Sequence, residues 1–518
     1  MNAHRPTARP LAAALIALLV FGVYAAPARA QDAAAPPADL PDYVELINAQ
    51  ARGDLSNDDN AFVALLPLFG FGEDIDANHL AGLERELGVD PAAPGGPTLP
   101  AFSVWAETQV DDSDQRNAIE EIILDGPWSP ADQPLAQAWL ESQAEGFAAL
   151  EAALAKPGYF APLVRHDQVE PLMNVLLPHL GSARRLARSL LIRAHRDIAV
   201  GDVDAALDGI EQLRRFADHT RHEPLLISNL VATSIDALAT GAARDLLEAH
   251  PLDADRAERL AGLMPIRARG LRVADTIDRG ERAFALDTVD WGTRRRLAKK
   301  QAPIDDWIMT ELGPLHRLTA SPVFDRERAK ARFNALYDEL VDALAQPTYA
   351  QSVAAARPIE RRLENHNPPA WLSPFIAIAA AGEAVQHRQG EPADPNADLP
   401  ARDAFTDAMV DHMTTLIVPA LGAAGRTEAQ IDTRRTLTRL AAALEAHRHT
   451  NGRYPNRLDQ LDANLVDPIP PDLDGQPLRY TPADDGTGYT LRSVGTTGEP
   501  DDEPSEAALE LLTISIQR

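Results

Sequence analysis

The pattern of apolar and polar positions predicts a chain that is mostly helical. From about Asp42 onward, apolar residues recur with the 3.6-residue period of an α-helix, and the period is most persistent from Ala136 to about Arg357. Single prolines divide that stretch into separate helices, because proline lacks the N–H group that continues a helix. Strand-like alternation is almost absent before residue 476. We therefore expect an all-α body at 41–388, built from stacked helical hairpins.

One helical hairpin can be predicted in detail. Apolar residues recur every four positions along its first helix: Leu186, Leu190, Ala194 and Ile198. Gly201 then breaks the helix, and Asp202 is placed to cap the next one. This turn resembles the joint of a tetratricopeptide repeat. However, the pattern does not recur convincingly at the period of about 34 residues, so a solenoid is not predicted. A further long helix is expected from about Leu225 to His250.

The chain after residue 388 changes character. Residues 389–402 are rich in proline and acidic side chains and have no periodicity, which is typical of a linker or an exposed loop. A connecting helix is expected within 403–426, ending near Val418 because Pro419 follows.

A small C-terminal module is predicted at 427–518. Thr427 and Gln430 have the spacing of a capping box that opens a helix, and Gly452 supplies its stop. Residues 488–493 alternate like a strand, with residues 478–480 as their hairpin partner. The fold class is therefore mainly α, with a small α+β module at the end.

The order of motifs in this module resembles the C-terminal part of the type II secretion major pseudopilin. A helix runs into G-x-Y-P, a proline-rich crossing ends in D-G-Q-P-L-R-Y, and G-Y-T-L-R-S follows. The residues that carry the resemblance are Gly452, Tyr454, Pro455, Leu458, Leu461, Gly475, Pro477, Leu478, Tyr480, Gly488, Tyr489, Leu491, Ser493, Gly495 and Gly498. The resemblance implies an association with an envelope or secretion complex.

The module also departs from that family. A pseudopilin begins with its own hydrophobic helix, whereas residues 1–426 precede the module here, so assembly into a pseudopilus is not expected. The family binds calcium in the loop after the last strand, and Thr497 stands where its aspartate is expected. Asp501, Asp502 and Glu503 are oxygen ligands close enough to replace it. Calcium is therefore one interpretation of this loop, and a solvated acidic loop is the other.

The first thirty residues have the features of an export signal. Positive residues precede an apolar run at 11–26, and Ala28-Arg29-Ala30 forms a cleavage site. The run is shorter than the roughly 20 residues that span a bilayer, so we expect cleavage, with an uncleaved membrane anchor as the alternative. Residues 31–40 then form a Pro/Ala tether. The protein is expected in the periplasm or outside the cell, without a later membrane span.

Composition narrows the function further. Acidic residues number 77 against 49 Lys and Arg, so the net charge is −28; it becomes −31 without residues 1–30, which contain three arginines and no acidic residue. A chain this acidic is not expected to bind nucleic acid. The chain has no cysteine, which excludes disulfides, thiolate metal sites and a cysteine nucleophile. Nucleotide-binding and hydrolase motifs are also absent from the sequence. We expect a non-catalytic exported protein with a protein partner.

Two clusters leave alternatives open. One cluster contains His219, His222 and Glu223. Either these side chains bind a metal ion, or the two histidines are stabilised at a helix end without a metal. The basic run at 294–300 forms either internal ion pairs or a patch that docks an acidic surface. The alternative function is an exported hydrolase, which would need a cleft that gathers His195, His219 or His222 with two carboxylates.

Overall fold

The computed structural model describes residues 40–71, 75, 77–93, 96–165, 170–266, 272–297, 324–364, 400–466, 468–472, 475–493 and 513–517. The export signal, all but the last residue of the tether, and residues 389–399 of the linker lie outside the described residues. The last three residues of the predicted linker, 400–402, instead begin a helix.

The described residues are mainly helical, as the periodicity predicted. The α-helices are α1 (Tyr43–Arg52), α2 (Ala61–Phe69), α3 (Ala77–Leu87), α4 (Phe102–Ala106), α5 (Ser113–Asp125), α6 (Pro134–Ser142), α7 (Ala144–Leu154), α8 (Pro178–Val200), α9 (Val203–Thr220), α10 (Leu226–Ala249), α11 (Ala254–Leu263), α12 (Arg272–Thr276), α13 (Arg282–Leu297), α14 (Arg326–Leu344), α15 (Tyr349–Glu364), α16 (Pro400–Asn451) and α17 (Ala463–Val466). Short 3₁₀ turns lie at Leu172–Asn174 and Leu458–Gln460, and a π-helical turn at Ile277–Glu281 joins α12 to α13.

The predicted helical hairpin is confirmed as α8 and α9. Gly201 has the left-handed backbone (φ 79°) that ends α8. The Asp202 side chain accepts the Ala205 N–H at 3.1 Å and caps α9. The apolar face predicted for the first helix is fully buried. The next predicted helix is α10, which begins one residue after Leu225 and ends one residue before His250.

The expectation that no later segment spans a membrane stays a prediction, but one later helix, α10, meets the criteria for a candidate span. This helix is long and apolar enough by length and composition, with a mean hydropathy of 1.3 over its 18-residue window. However, 61% of that window is buried inside the protein, where α10 packs against α8, α9 and α16. A core helix of a globular protein meets the same two criteria.

Two large hydrophobic cores organise the helices. The first core is formed by residues between Ala61 and Met264 together with residues from Leu437 to Ile516. The second core is formed by residues between Val273 and Leu363 together with residues from Met409 to Ala429. The helix α16 therefore contributes its N-terminal half to the second core and its C-terminal half to the first.

The continuity of α16 overturns the predicted break before Pro419 and the predicted capping box. Inside the helix, the Thr427 hydroxyl donates to the Ala423 carbonyl at 3.0 Å instead of capping a new helix. A proline inside a helix costs about 3 kcal/mol, but burying a Val or Leu side chain gains about 1.5–3 kcal/mol. Several apolar side chains around Pro419 are buried in the second core: Val418, Leu421, Ala424 and Ala429. The boundary between 403–426 and 427–518 therefore lies within one helix.

A second helix also runs through a proline, at the point where the most persistent periodicity ends. Helix α15 continues through Pro358 to its end at Glu364. Ile359 and Leu363, which follow the proline, are buried in the second core. Apolar burial again outweighs the hydrogen bond that proline removes.

A buried ion cluster joins α16 to the body. We call it the Asp236 cluster; its members are Asp236, Arg214, Arg221 and Arg435. The Asp236 carboxylate is bonded by Arg214, lies 3.1 Å from the Arg221 guanidinium and lies 2.9 Å from that of Arg435. Its members come from α9, α10, the residue after α9, and α16. The C-terminal helix is therefore part of the body's packing.

The C-terminal sheet has three antiparallel strands in the order β1-β2-β3: β1 (Arg479–Pro482), β2 (Gly488–Arg492) and β3 (Thr513–Gln517). The predicted hairpin of β1 and β2 is confirmed, and Gly486 supplies its turn (φ 72°). The strand β3 was not predicted, although Ile514 and Ile516 alternate with polar residues and are buried. A mainly α fold with a small α+β region is confirmed.

The π-helical turn brings the second core against the start of α10. A Cβ atom at Gly280 would lie 1.7 Å from the Pro224 carbonyl oxygen, so only glycine permits this approach. The next residue, Glu281, accepts the Leu226 N–H at 3.0 Å. Burial raises the pKa of Glu281 to about 7, although this hydrogen bond opposes the shift.

Candidate functional site

A groove of about 400 Å³ lies between α7, α8 and α9, and we call it the hairpin groove. Three guanidinium groups, four carboxylates, an amide and three apolar side chains line it: Arg193, Arg196, Arg215, Glu151, Asp197, Asp208, Glu211, Gln212, Leu154, Ala155 and Ala205. Charged residues are therefore the majority of those that line the groove.

Arg193 fixes the distance between the walls of the groove. Its guanidinium contacts Glu151 of α7 at 2.9 Å and donates to the Gln212 amide oxygen of α9. It also lies 4.6 Å from the ring centroid of Phe147, a favourable cation–π distance. One side chain of α8 thus holds both neighbouring helices.

Asp197 is the most buried charged group of the groove. The residue is 4% exposed, and its carboxylate contacts the Arg196 guanidinium at 2.7 Å. Burial raises the pKa of Asp197 and outweighs the opposing effects of Arg196 and Arg193. A carboxylate with a perturbed pKa that lines a groove is a candidate functional group.

The rim of the groove carries exchangeable ion pairs. Arg259, from α11, donates to Asp208 at 2.5 Å and to Glu211 at 2.9 Å. Glu211 also contacts Arg215 at 2.6 Å, and the two guanidiniums lower its pKa although burial opposes them. Exposed pairs of this kind contribute roughly 0–1 kcal/mol each. They can therefore be rearranged at a small cost in free energy.

His195 lies apart from the other two histidines of the hydrolase interpretation. Its Nε2 atom is 3.2 Å from one Asp245 carboxylate oxygen, and its Nδ1 atom is 3.1 Å from the Ile123 carbonyl oxygen. The side chain is buried, so these two contacts account for both ring nitrogens. His195 therefore meets one carboxylate.

His219 and His222 also make separate contacts. His219 Nε2 lies 3.1 Å from the Leu154 carbonyl oxygen, its ring stacks on Tyr159, and burial lowers its pKa. His222 is exposed, and its Nδ1 atom lies 2.8 Å from the Asp218 carbonyl oxygen. Among the described residues no group of three His, Asp or Glu side chains is arranged to hold a metal ion. The cleft that the hydrolase alternative requires is not found in this part of the chain.

A buried polar cluster around Glu223 was missed from the sequence. One carboxylate oxygen lies 2.9 Å from the Tyr159 hydroxyl and 2.8 Å from His179 Nε2, and the other accepts the Ser228 hydroxyl at 2.5 Å. All four residues are buried. Burial and the Glu223 charge raise the pKa of Tyr159. The cluster is packed inside the protein and satisfies its own hydrogen bonds, which is a structural role.

Two features predicted from the sequence, the calcium-binding candidates and the basic run, have side chains that the structure does not describe. Asp501, Asp502 and Glu503, the calcium candidates, lie outside the described residues. The basic run at 294–300 begins at the end of α13, and its last three residues also lie outside them. Both remain predictions.

The groove residues were not singled out from the sequence. Arg193, Arg196 and Asp197 follow at helical spacing on α8, and Asp208 and Arg215 do so on α9. Because the hairpin itself is predictable, facing charges on its two helices could have indicated a charged groove. Its third wall, α7, carries no sequence signal that places it there.

No protein-family model, curated protein or solved structure matches this chain. The resemblance of residues 427–518 to pseudopilins therefore remains a prediction from motifs.

Proposed function

We propose that this protein is an exported, non-catalytic scaffold that binds a protein partner through the hairpin groove. The observation that carries the proposal is the charged groove between α7, α8 and α9. Small-molecule sites are mostly apolar and enclose their ligand, whereas most residues that line this groove are charged and the ion pairs at its rim are exposed. Such a surface suits a polypeptide segment that lies across it.

We propose further that the C-terminal module stiffens this scaffold and docks it near an envelope or secretion complex. The export signal and the pseudopilin-like motifs support this place of action. The packing supports a rigid arrangement, because Leu437, Leu440 and Leu444 of α16 are buried in the first core. Arg244 of α10 also donates to the Thr513 carbonyl of β3.

Site-specific photocrosslinking in cells tests the proposal. A benzophenone amino acid replaces Asp208 at the rim of the groove in the full chain, and the matched control replaces Glu84, which is exposed on α3. We expect a discrete crosslinked protein from position 208 that is absent from position 84. The same products from both positions, or none from position 208, would contradict the proposal. Fractionation of the same cells tests export.

A further inference from the structure

We propose that the solvent-facing side of the C-terminal sheet binds a phosphate monoester of a lipid headgroup through Arg479 and Arg492. The inference rests on the proposed docking of the C-terminal module near the envelope, and it names the surface that docks. We call this surface the arginine face. It consists of the two arginines and the hydroxyl-bearing residues on the same side of the sheet: Thr481, Thr490, Thr513 and Ser515.

The strand register places the two arginines directly opposite each other. Arg479 of β1 pairs with Arg492 of β2, and both side chains are exposed. Residues in such positions have Cβ atoms roughly 4.5–5.5 Å apart, and like charges there destabilise a sheet. The sheet thus holds two cations together at a cost in free energy that a bound anion would remove.

Neither arginine is balanced by a carboxylate in the described part of the chain. No hydrogen bond or ion pair joins either guanidinium to a described residue. Two other arginines of the module are paired, Arg448 with Glu445 at 3.0 Å and Arg457 with Asp459 at 2.7 Å. The unpaired state is therefore a property of the arginine face and is not shared by all arginines of the module.

Described carboxylates of the sheet region are directed elsewhere. Asp472 is buried, and its carboxylate lies 3.2 Å from the hydroxyl of Ser493. Ser493 is itself buried and follows Arg492 directly, so the two side chains leave the chain on opposite sides. Asp485 lies in the turn at the other end of the hairpin, where it accepts the Thr487 N–H at 2.9 Å. Among the described residues, the charge of the arginine face is available to a ligand.

The donors of the arginine face suit a phosphate monoester better than a carboxylate. The fork of one guanidinium is enough to satisfy both oxygens of a carboxylate. A phosphate monoester carries about −1.5 to −2 charges and three acceptor oxygens, so it can accept from two guanidiniums at once. Hydroxyl donors lie beside the arginines: Thr513 is opposite Arg492, and the Thr490 and Ser515 hydroxyls are 3.2 Å apart.

The openness of the arginine face favours a phosphate that is displayed on a surface. Free phosphate is commonly enclosed by backbone N–H groups at a helix N-terminus or in a nest, whereas this face is formed by side chains on strands. Arg244 of α10 donates to the Thr513 carbonyl at 2.5 Å, which fixes β3 to the body. The net charge of −28 does not prevent the contact, because charges more than about 10 Å apart are largely screened at 0.1 M salt.

Cosedimentation of the full chain with vesicles tests the inference. The vesicles contain phosphatidylcholine alone, or phosphatidylcholine with either phosphatidic acid, a monoester, or phosphatidylglycerol, a diester, at matched surface charge. The readout is the ratio of affinities between compositions, which cancels any attachment through apolar segments. We expect the tightest binding to phosphatidic acid, with an affinity that falls as salt rises.

Variants of the arginine face should lose this preference. Arg479→Gln and Arg492→Gln should each weaken binding to phosphatidic acid about fivefold. Arg479→Glu should abolish it, because a carboxylate would then lie opposite Arg492 and pair with it. The matched control removes two exposed arginines of α8, Arg184→Gln together with Arg188→Gln, and should bind as the wild type does. Thermal unfolding checks that the exposed substitutions leave the fold intact.

Several outcomes would overturn the inference. Equal binding to both anionic vesicles, or an equal loss in the α8 control, would show general attraction between charges. Binding of inorganic phosphate by the wild type that is lost in Arg479→Gln, without vesicle binding, would show a free anion as the ligand.

Carboxylates of the chain itself are the remaining competitor for the arginines. The sequence between β2 and β3 contains six acidic residues. If the wild type binds no vesicles and the variant Asp501→Asn, Asp502→Asn, Glu503→Gln does, the arginines have an internal partner and the inference is wrong. A crosslink at position 208 without any vesicle binding would overturn this inference and leave the groove of the proposed function standing.

Discussion

Asp197 in the hairpin groove and Asp236 in the first-core helix α10 are both nearly buried, but their pKa values move in opposite directions. Asp236 is 1% exposed; burial acts to raise its pKa, and the three guanidiniums of the Asp236 cluster outweigh burial and lower it. Asp197 is 4% exposed, and burial outweighs its one contacting guanidinium and raises its pKa. The number of guanidiniums that reach the carboxylate decides the sign.

Glu281 extends this comparison to a carboxylate without a basic partner. In the described part of the chain no ion pair joins Glu281 to a Lys, Arg or His side chain, and burial raises its pKa to about 7. The three carboxylates differ in how far nearby guanidiniums offset the effect of burial on the pKa. Three guanidiniums of the Asp236 cluster reach one carboxylate and join helices, whereas one guanidinium contacts Asp197.

Asp236→Asn should have the largest effect on stability. Three guanidiniums would remain partly buried without their shared charge, and breaking a buried pair costs about 3–5 kcal/mol. The free energy of unfolding from urea titration at pH 7 measures this. Because the folded-state pKa of Asp236 is lowered, its contribution is present above the ordinary value of 3.8 and is lost as pH falls through the lower folded value. If the free energy of unfolding falls by less than about 1 kcal/mol at pH 7, the cluster does not stabilise the junction between α16 and the body.

Glu281→Gln should stabilise the protein at alkaline pH. Below the ordinary pKa of 4.5 the carboxyl group is protonated in both states, and stability falls as pH rises toward the folded value of about 7. At pH 8 we expect the variant to be about 2 kcal/mol more stable than the wild type, after allowance for partial exposure of the side chain. At pH 4 the two proteins should unfold at the same urea concentration. Equal stability at pH 8 would contradict the burial argument.

Asp197→Asn should change stability by about 1 kcal/mol or less. The neutral amide can still accept from Arg196 and avoids the burial of a charge, so the variant should be as stable as the wild type or slightly more stable. Because the folded pKa is raised, the gain should grow as pH rises above 3.8. Urea titration at pH 4 and pH 7 measures the trend. Destabilisation as large as that of Asp236→Asn would remove the contrast between the two aspartates.

Arg215→Gln should have the smallest effect. The Arg215 side chain is 50% exposed, and its partner Glu211 lies four residues earlier on the same helix. Such a pair contributes about 0.3–0.5 kcal/mol. Thermal unfolding should show this difference at low salt and none at high salt. A larger loss of stability that does not depend on salt would mean that the ion pairs at the rim of the groove are rigidly held.

The sequence predicted those parts of the fold that local signals determine. The capping of α9 by Asp202, the turn at Gly201 and the hairpin of β1 and β2 depend on residues within a few positions of each other. The path of α16 through Pro419 depends on burial against distant helices, which a local proline signal does not reveal. The partners Asp236 and Arg435 are 199 residues apart, so no local pattern could pair them.

The candidate site was less predictable than the fold. Histidines stand out in a sequence because their chemistry is distinctive, but the ring nitrogens of His195 and His219 contact nearby oxygens. Arg196 and Asp197 resemble ordinary surface charges in the sequence. Their role depends on the third helix, α7, which closes the groove from residues more than forty positions earlier.

The double membership of α16 has a consequence for the order in which the chain folds. The first core is assembled from residues before 265, but one of its walls is formed by residues from Leu437 onward. During synthesis this core is complete only after that late segment has emerged from the ribosome, and contacts between segments so far apart form slowly. We expect the nascent chain to remain unfolded for longer than a protein whose core closes early. That delay is compatible with the proposed export, because an exported chain commonly crosses the membrane before it folds.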